Sequence, residues 1–326
     1  MADVYYSKEF SQAFIEQLTS DFQKRFDGCT RIIVKTHFGE PGNKYSFTPK
    51  DLKPVTDILH ELGFKVTLFD TSVVYKSKRH DPQTHRKHAL DKGYDELGDV
   101  DTDDSDVTVH EGEYLEYEVP DKLSEAEGVL VISHLKGHDA AGFGGAIKNL
   151  GMGALSKNSK GAIHEGGKPV VGKGCIQCKA CEKVCPVNGI KVTDKPEINF
   201  CIGCSKCILT CPEDVFSPKI EIFDTLLGDG AAAAQKTFKK DYYVTFAGRI
   251  AKQCDCDSNP TETIAGDVGW FASQDGVAID KAALDTINLA EGKNVFLIEQ
   301  EKDPFMQVQA AEEFGMGRTE YELKTL

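Results

Sequence analysis

The hydrophobic positions along the chain follow the periods of alternating helices and strands. Near the start, large apolar side chains recur every four residues on one face of a helix that Ser7 is placed to cap: Phe10, Phe14, Leu18 and Phe22. Arg31–Lys35 and Lys65–Phe69 are short runs typical of strands. Between them, residues 51–62 have helical spacing, and Gly63 fits the left-handed position that follows a helix. This strand–helix–strand unit predicts two parallel strands with a helix packed on the sheet.

The later apolar segments continue this pattern. Gly128–Ser133 is almost entirely apolar and predicts a central, buried strand. Further strands are predicted near Leu115–Val119 and at Asp241–Phe246, Asp267–Phe271 and Asn294–Ile298, and further helices over 82–93, Val277–Leu289 and 304–313. Asp275 precedes one of these helices and most simply caps it, although a carboxylate facing a cleft is the alternative.

A run of four cysteines, repeated 26 residues later, interrupts the α/β pattern. Each run has the spacing Cys-x-x-Cys-x-x-Cys-x-x-x-Cys-Pro. Bacterial two-cluster ferredoxins have this pattern, and the fourth cysteine of each run binds the other 4Fe–4S cluster. The predicted ligands are therefore Cys175, Cys178, Cys181 and Cys211 for one cluster, and Cys201, Cys204, Cys207 and Cys185 for the second. Zinc sites lack the third cysteine and the proline, and disulfides would need an oxidising compartment.

The order of these segments predicts a discontinuous domain. We expect residues 1–168 and 217–326 to form one α/β domain with a mostly parallel or mixed sheet. Residues 169–216 are predicted to be a ferredoxin-like insert that carries two 4Fe–4S clusters.

Composition and charge narrow the class of protein. The net charge is −14, and residues 91–127 hold fifteen acidic residues against two lysines, which indicates a solvated acidic face. A docking surface for a basic partner and a cation site are the alternatives for this segment. The overall acidity argues against nucleic-acid binding. No apolar run is long enough to span a membrane, and the N-terminus has no secretory pattern, so we expect a cytoplasmic protein in a low-oxygen setting.

Candidate chemistry outside the repeat follows the strand 128–133. In open α/β sheets, ligands bind beyond the carboxyl ends of strands. The segment there contains two histidines, two lysines and several glycines, and the candidate catalytic residues are His134, Lys136, His138 and Lys148. Its sequence matches neither a dinucleotide-binding turn nor a P-loop. The alternative is a glycine-rich connection that only lets the insert pack against the sheet.

Cys254 and Cys256, two residues apart, form a second candidate site. Thiolates at this spacing can bind one soft metal ion, but two ligands are too few. A histidine from elsewhere would have to complete the site, with His164 the predicted third ligand and His37, His134 and His138 the other candidates. A pair of ordinary buried thiols is the alternative, and a Cys254–Cys256 disulfide would close a strained ring. Asp70, Tyr75 and Arg79 follow the second strand and either line the same cleft or pair with one another.

Over nearly its whole length, the chain resembles a prokaryotic domain family of unknown function whose members are described as uncharacterised proteins with an iron–sulfur centre. The resemblance is carried by Ser133–His138, Gly142–Gly153, His164, Cys254–Cys256, Asp267–Gly269, Ser273–Asp275, Val277–Asp280, Gly315–Gly317 and Tyr321–Leu323, with Asp70, Thr71, Tyr75 and Arg79 earlier in the chain. Gly276 departs from the family pattern, which has proline there. The resemblance implies the α/β-plus-ferredoxin architecture, a cytoplasmic location and functional roles for the His134 region and the Cys254–Cys256 pair. It names no reaction.

Three functions fit these features. The first is an electron-transfer protein whose two clusters feed electrons to a site in its own α/β domain, to a docked redox protein or to a small-molecule acceptor. The second is a reductase with a substrate or metal site at Cys254, Cys256 and the His134–His138 loop. The third is a redox sensor, for which no DNA-binding motif is visible. The sequence gives no indication of the oligomeric state.

Overall fold

The structure is a computed structural model that describes all 326 residues. Its strands are β1 (Ala2–Ser7), β2 (Arg31–Lys35), β3 (Lys65–Phe69), β4 (Asp99–Asp101), β5 (Val107–Glu111), β6 (Glu116–Pro120), β7 (Gly128–His134), β8 (Lys136–His138), β9 (Gly142–Gly144), β10 (Pro169–Val171), β11 (Ile190–Val192), β12 (Pro196–Ile198), β13 (Phe216–Pro218), β14 (Asp241–Ala247), β15 (Gly269–Ser273) and β16 (Tyr321–Thr325). Its helices are α1 (Gln12–Arg25), α2 (Pro49–Glu61), α3 (Pro82–Asp91), α4 (Asp121–Ser124), α5 (Ala146–Gly151), α6 (Lys157–Gly166), α7 (Ala180–Val184), α8 (Lys206–Thr210), α9 (Phe223–Gln235), α10 (Gly276–Glu291), α11 (Val295–Gln300) and α12 (Phe305–Glu313). None of the helices is both long and apolar enough to cross a bilayer.

One eight-stranded sheet organises the chain, with the order β16-β1-β15-β14-β7-β2-β3-β4. The strands β14, β7, β2, β3 and β4 are parallel to one another, whereas β15 is antiparallel to both of its neighbours. The predicted α/β class with a mixed, mostly parallel sheet is therefore confirmed. Strands from before and after the cysteine repeat contribute to this one sheet.

The strand β7 lies inside the sheet, and all seven of its residues are buried. Val129 and Val131 face an apolar core that includes residues of α5, α9 and α10. Leu130 and Ile132 face a second core on the opposite side, which includes residues of α1 and α2. Because successive side chains of a strand point to opposite faces, an entirely apolar strand is what a sheet covered on both sides requires.

The first helix begins later than predicted. Ser7 does not cap it, because residues 2–7 form the edge-adjacent strand β1. Instead, the Ser11 hydroxyl accepts a hydrogen bond from Phe14 N at 3.2 Å. Gly63 has φ +84°, the left-handed conformation predicted for the residue after α2.

Two further predictions were wrong. Asn294–Ile298 is not a strand, because the Asn294 side chain caps α11 by accepting from Leu297 N at 3.0 Å. The predicted strand at Asp267–Phe271 begins only at Gly269, and the exposed Asp267 instead accepts from Arg249 N. The expected cap was confirmed, since Asp275 accepts from Val277 N and Ala278 N at 2.9 Å each.

The cysteine repeat forms a small unit beside the sheet. The antiparallel pair β10–β13 joins its two ends, with Pro169 opposite Pro218. A second hairpin, β11–β12, and the helices α7 and α8 complete it. These elements share an apolar core of their own, which consists of Cys181, Ile190, Val192, Cys207, Val215 and Phe216.

Candidate functional site

A cavity of about 720 Å³ lies at the carboxyl ends of the parallel strands. The residues that follow these strands line it: His37 after β2, Asp70 after β3, His134 at the end of β7 and Cys254 after β14. This is the edge at which open α/β sheets bind ligands, because the loops that leave the strands there are free to diverge.

Asp255 organises one wall of the cavity. Its carboxylate lies 2.7 Å from Lys136 Nζ and 3.1 Å from His134 Nδ1, and all three side chains are buried. Burial alone would raise the pKa of Asp255, but the charge of Lys136 and the contact with His134 outweigh it and hold the pKa below its usual range. His134 Nε2 also faces the carbonyl oxygen of Gly248 at 2.7 Å. Both nitrogens of His134 are thus occupied, so His134 holds the Cys254–Cys256 loop against β7 and is not free to bind a metal.

A second buried network joins the loop after β3 to the same wall. Arg79 pairs with Asp70 at 3.2 Å and with Glu40 at 3.1 Å. The hydroxyl of Tyr75 donates to the carbonyl oxygen of Cys256 at 3.0 Å. Both alternatives for Asp70, Tyr75 and Arg79 therefore hold, because they pair within one network and also line the cavity.

The glycine-rich segment serves as a close-packed loop that carries Lys148 into the cavity. A side chain at Gly145 would collide with the carboxylate of Asp280, and one at Gly144 would come 3.0 Å from the Lys148 side chain. Asp280 accepts from the backbone N–H groups of Ala146 and Ile147 at 2.7 and 2.9 Å, which fixes the start of α5. The segment is thus both a packing element and part of the site.

Lys148 lies next to both cysteines of the second motif. Its Nζ is 3.1 Å from Cys254 Sγ and 4.0 Å from Cys256 Sγ, and Cys256 N donates to Cys254 Sγ at 3.3 Å. Burial would raise the pKa of Cys254, but the hydrogen bond from the Cys256 thiol and the charge of Lys148 hold it well below its usual value. The contact with Cys254, followed by burial, raises the pKa of Cys256. The shorter distance to Lys148 and the Cys256 N–H group both favour the anion at Cys254 over the anion at Cys256.

The structure brings one histidine to this pair, and it is His138, one of the candidates, rather than His164. A ring nitrogen of His138 and the two sulfurs lie within 4.8 Å of one another. His164, the predicted third ligand, lines the cavity but donates from Nδ1 to the carbonyl oxygen of Ile202 at 2.7 Å and is not part of this group. His37 Nδ1 accepts from Gly39 N at 2.9 Å.

The 26-residue cysteine repeat is reproduced in the backbone. Corresponding positions of the two runs have left-handed φ angles: Gln177 (60°) and Gly203 (70°), Lys179 (62°) and Ser205 (60°), Asn188 (51°) and Asp214 (47°). Backbone N–H groups at equivalent positions also donate to sulfur in both runs, at 3.2 to 3.4 Å. Gln177 N donates to Cys175 and Gly203 N to Cys201, and Gly189 N donates to Cys185 and Val215 N to Cys211. In iron–sulfur proteins, hydrogen bonds of this kind stabilise the thiolate ligands and contribute to the reduction potential.

The neighbours of the buried cysteines include the fourth cysteine of the other run. Burial raises the pKa of Cys207 to about 12, and the charges that add to this effect include that of Cys185. Burial likewise raises the pKa of Cys181, with a contribution from Cys211. The buried thiols of Cys181 and Cys207 are therefore costly to ionise in this interior without a cationic centre, as expected of cysteines that bind a metal cluster.

The cysteine unit and the α/β domain meet at the cavity. Cys201 and Ile202 line the same cavity as Cys254. Lys302 ties the two parts together, since its buried Nζ donates to the carbonyl oxygens of Cys204 at 2.8 Å and Ala140 at 2.6 Å.

Several site residues were not identified from sequence. They are Glu40, Asp255, Lys160, Asp280, Lys302 and Lys35, which pairs with Asp70 of the cavity wall at 3.0 Å. Lys35 and Asp255 had usable signals, since Lys35 ends a predicted strand and Asp255 lies between the two cysteines. Lys160 donates to the Thr71 hydroxyl and to the Ser72 carbonyl, and burial lowers its pKa to about 7. No local pattern distinguishes it from a surface lysine.

Comparisons with known proteins place the chain in a family of unassigned function. Residues 32–285 match the family described as a domain of unknown function, DUF362. A segment is 39% identical over 56 residues to one component of an ion-translocating oxidoreductase complex of Methanosarcina acetivorans, covering 15% of this chain and 21% of that protein. A Thermotoga maritima protein from a structural genomics programme aligns with a TM-score of 0.48 and 9% identity over 87% of this chain and 59% of that chain. The lactate racemase apoprotein of Thermoanaerobacterium thermosaccharolyticum aligns with a TM-score of 0.46 and 12% identity over 92% of this chain and 57% of that chain. The chain thus spans less than two thirds of each of these proteins.

Proposed function

This chain belongs to the DUF362 family, and we propose that it is an iron–sulfur reductase that passes electrons from two 4Fe–4S clusters to a substrate in its own cavity. The observation that carries the proposal is that Cys201, a predicted cluster ligand, lines the same cavity as Cys254 and Lys148. A protein that only carried electrons between partners would not need a cavity of about 720 Å³ at its cluster.

The two proposed clusters differ in their surroundings. The group Cys201, Cys204, Cys207 and Cys185 is the proximal one, because Cys201 lines the cavity and Cys204 belongs to the main apolar core. The group Cys175, Cys178, Cys181 and Cys211 is distal, and Cys178 is exposed beside Ile176, which is 59% exposed. We propose that electrons enter at the distal cluster from a redox partner and leave through the proximal cluster. When bound, the clusters would supply electrons one at a time.

The matching segment of the Methanosarcina oxidoreductase component supports an oxidoreductase assignment, although it covers a small part of either chain. The division into a discontinuous α/β domain, 1–168 and 217–326, and a cluster-binding insert, 169–216, is part of the same proposal. A cytoplasmic location in a low-oxygen setting also remains a prediction.

Anaerobic purification followed by metal and sulfide analysis tests this function. We expect about eight iron and about eight acid-labile sulfide per chain, and a magnetically coupled pair of 4Fe–4S signals in the electron paramagnetic resonance (EPR) spectrum of the reduced protein. Cys185→Ser should weaken the proximal cluster and Cys211→Ser the distal one. Each of these cysteines is assigned to the cluster whose other three ligands come from the other cysteine run. Protein that binds zinc in place of iron, or shows a single uncoupled cluster, would contradict the proposal.

A further inference from the structure

We propose that Cys254 is a nucleophilic thiolate that attacks a small-molecule disulfide in the cavity, and that it is not a metal ligand. The inference deepens the proposed function and rests on it only for the supply of electrons. Three observations on the Cys254 site carry it: the orientation of His138, the position of Lys148 and the shared cavity.

The hydrogen bonds of His138 leave neither ring nitrogen with a free lone pair for a metal ion. Its Nδ1 accepts from Ala140 N at 3.2 Å and from Ala141 N at 3.1 Å. A neutral imidazole whose Nδ1 accepts carries its proton on Nε2, so Nε2 is a donor. Histidines that bind metals show the opposite arrangement, in which the second nitrogen donates to an oxygen. His164 has that arrangement, but it is not the histidine near the sulfurs.

The ammonium group of Lys148 already supplies the positive charge that a metal would supply. It lies 3.1 Å from Cys254 Sγ and 4.0 Å from Cys256 Sγ. The second cation, Lys136, pairs with Asp255, and Arg79 pairs with Asp70 and Glu40. Lys148 has no carboxylate partner among the ion pairs, so the thiolate of Cys254 is its counter-ion. A divalent metal bound to both sulfurs would meet this cation at close range.

A thiolate in the cavity that Cys201 also lines suits a substrate with an electrophilic sulfur. Thiolates exchange readily with disulfides, and a thiolate of low pKa is also a good leaving group when its mixed disulfide is reduced. Cleavage of one disulfide takes two electrons, which two one-electron clusters can hold together. Cys256 is poorly placed to resolve the adduct, because a disulfide between residues two apart is strained.

The reaction balances in two steps. In the first, Cys254 Sγ attacks one sulfur of a substrate RSSR, a new S–S bond forms, the old S–S bond breaks, and RS⁻ leaves and takes a proton from solvent. In the second, the S–S bond of the mixed disulfide takes up two electrons and breaks; the clusters, when bound, would supply these electrons. The second thiol then leaves as RSH with a solvent proton, and Cys254 returns to the thiolate. The sum is RSSR, two electrons and two protons giving two RSH.

The first step needs no electrons, so it can be tested separately from the proposed function. Anaerobic protein with oxidised clusters is mixed with bis(2-hydroxyethyl) disulfide, quenched in acid and mapped by peptide mass spectrometry. We expect a mixed disulfide on Cys254 that forms faster than on Cys29 or Cys256. Lys148→Met should slow adduct formation about tenfold or more, because loss of the cation raises the pKa of the Cys254 thiol above the assay pH and leaves about a tenth or less of it ionised. Lys148→Arg, which keeps the cation, should restore most of the rate, and Cys29→Ser should leave it unchanged.

Metal analysis of the same samples completes the test. Variants that retain wild-type iron content are folded and are compared directly. The proposal is overturned if Cys254 gains no adduct, if Lys148→Met reacts at the wild-type rate, or if the protein holds a metal beyond its clusters that Cys254→Ser removes. Adduct formation on Cys254 without later reduction by dithionite-reduced clusters would support the nucleophile and contradict the reductase.

Discussion

The nitrogen of Lys148 lies 3.1 Å from the sulfur of Cys254. Lys148 belongs to α5, within the loop region that follows β7, and Cys254 lies on the loop that follows β14. Since β7 and β14 are parallel neighbours, their carboxyl ends bring these two loops together. The sheet topology thus sets the distance between the cation and the sulfur, and the buried surroundings strengthen their attraction.

We expect Cys256 to contribute to this thiolate through its S–H group. Cys256→Ala removes the donor, so the pKa of Cys254 should rise and its alkylation by iodoacetamide at neutral pH should slow. Cys256→Ser keeps a hydroxyl donor and should react at close to the wild-type rate. Site-resolved mass spectrometry measures both rates. Equal slowing in the two variants would point to a packing effect.

Asp255→Asn should be strongly destabilising. The change leaves Lys136 and His134 buried without their anionic partner, and breaking a buried pair in this way costs about 3 to 5 kcal/mol. The free energy of unfolding from anaerobic urea titrations measures the loss. The matched control is Asp57→Asn, which breaks an exposed pair with Lys53 and should cost about 0.5 kcal/mol or less. Similar losses in both variants would refute the anchoring role of Asp255.

The Asp280 carboxyl predicts a component of the pH dependence of stability. Burial raises its pKa to about 7, against two backbone hydrogen bonds that lower it. The pKa of Asp280 is higher in the folded state than in the unfolded state, so this group contributes its full stabilisation at pH values below the unfolded-state pKa. That contribution is lost as the pH rises through about 7. In Asp280→Asn, the free energy of unfolding should therefore fall less between about pH 5 and about pH 8 than in the wild type.

The buried histidines have the opposite effect on the pH dependence of stability, since burial lowers the pKa of His85 to about 3 and also lowers that of His138. They are common to both proteins, so the difference between the wild-type and Asp280→Asn curves isolates Asp280. A pH-independent difference would show that the carboxyl does not titrate in this range.

Replacing Lys302 should change both the stability of the protein and the reduction potential of the proposed proximal cluster. It pairs with Asp224 at 2.5 Å, both side chains are fully buried, and it donates to the carbonyl oxygen of Cys204. Lys302→Met removes a positive charge near the proposed proximal cluster, so the reduction potential of that cluster should become more negative while that of the distal cluster stays unchanged. EPR-monitored redox titration measures both potentials.

The double variant Lys302→Met/Asp224→Leu is the control for this change. It removes both charges and should recover much of the stability that the single variant loses by leaving Asp224 unpaired. An equal shift of both clusters in the single variant would indicate a general loss of structure.

The sequence predicted those features that depend on local period or spacing. The apolar run of β7 and the cysteine repeat are of this kind, and the left-handed angles at Lys179 and Ser205 repeat with the same offset as the cysteines. A capping side chain can also make a prediction from the hydrophobic pattern wrong. Asn294 caps the helix α11, although the apolar run that follows it resembles a strand.

Long-range pairing could not be predicted in this way. Asp255 meets His134 across 121 positions in the chain, and the tautomer of His138 depends on backbone N–H groups whose direction only the folded loop defines. The sequence therefore suggested a metal site with His164, whereas the structure brings His138 to the sulfurs.

The central claim is that the clusters lie next to the Cys254 cavity, and spin labelling tests it most directly. One sample carries a nitroxide on Cys254 in a Cys29→Ser/Cys256→Ser background. The other carries it on Cys29 in a Cys254→Ser/Cys256→Ser background, at the opposite end of the parallel strands, just before β2. Reduction of the clusters should strongly accelerate the electron-spin relaxation of the label on Cys254 and affect the label on Cys29 far less. Equal relaxation at the two positions would contradict the account.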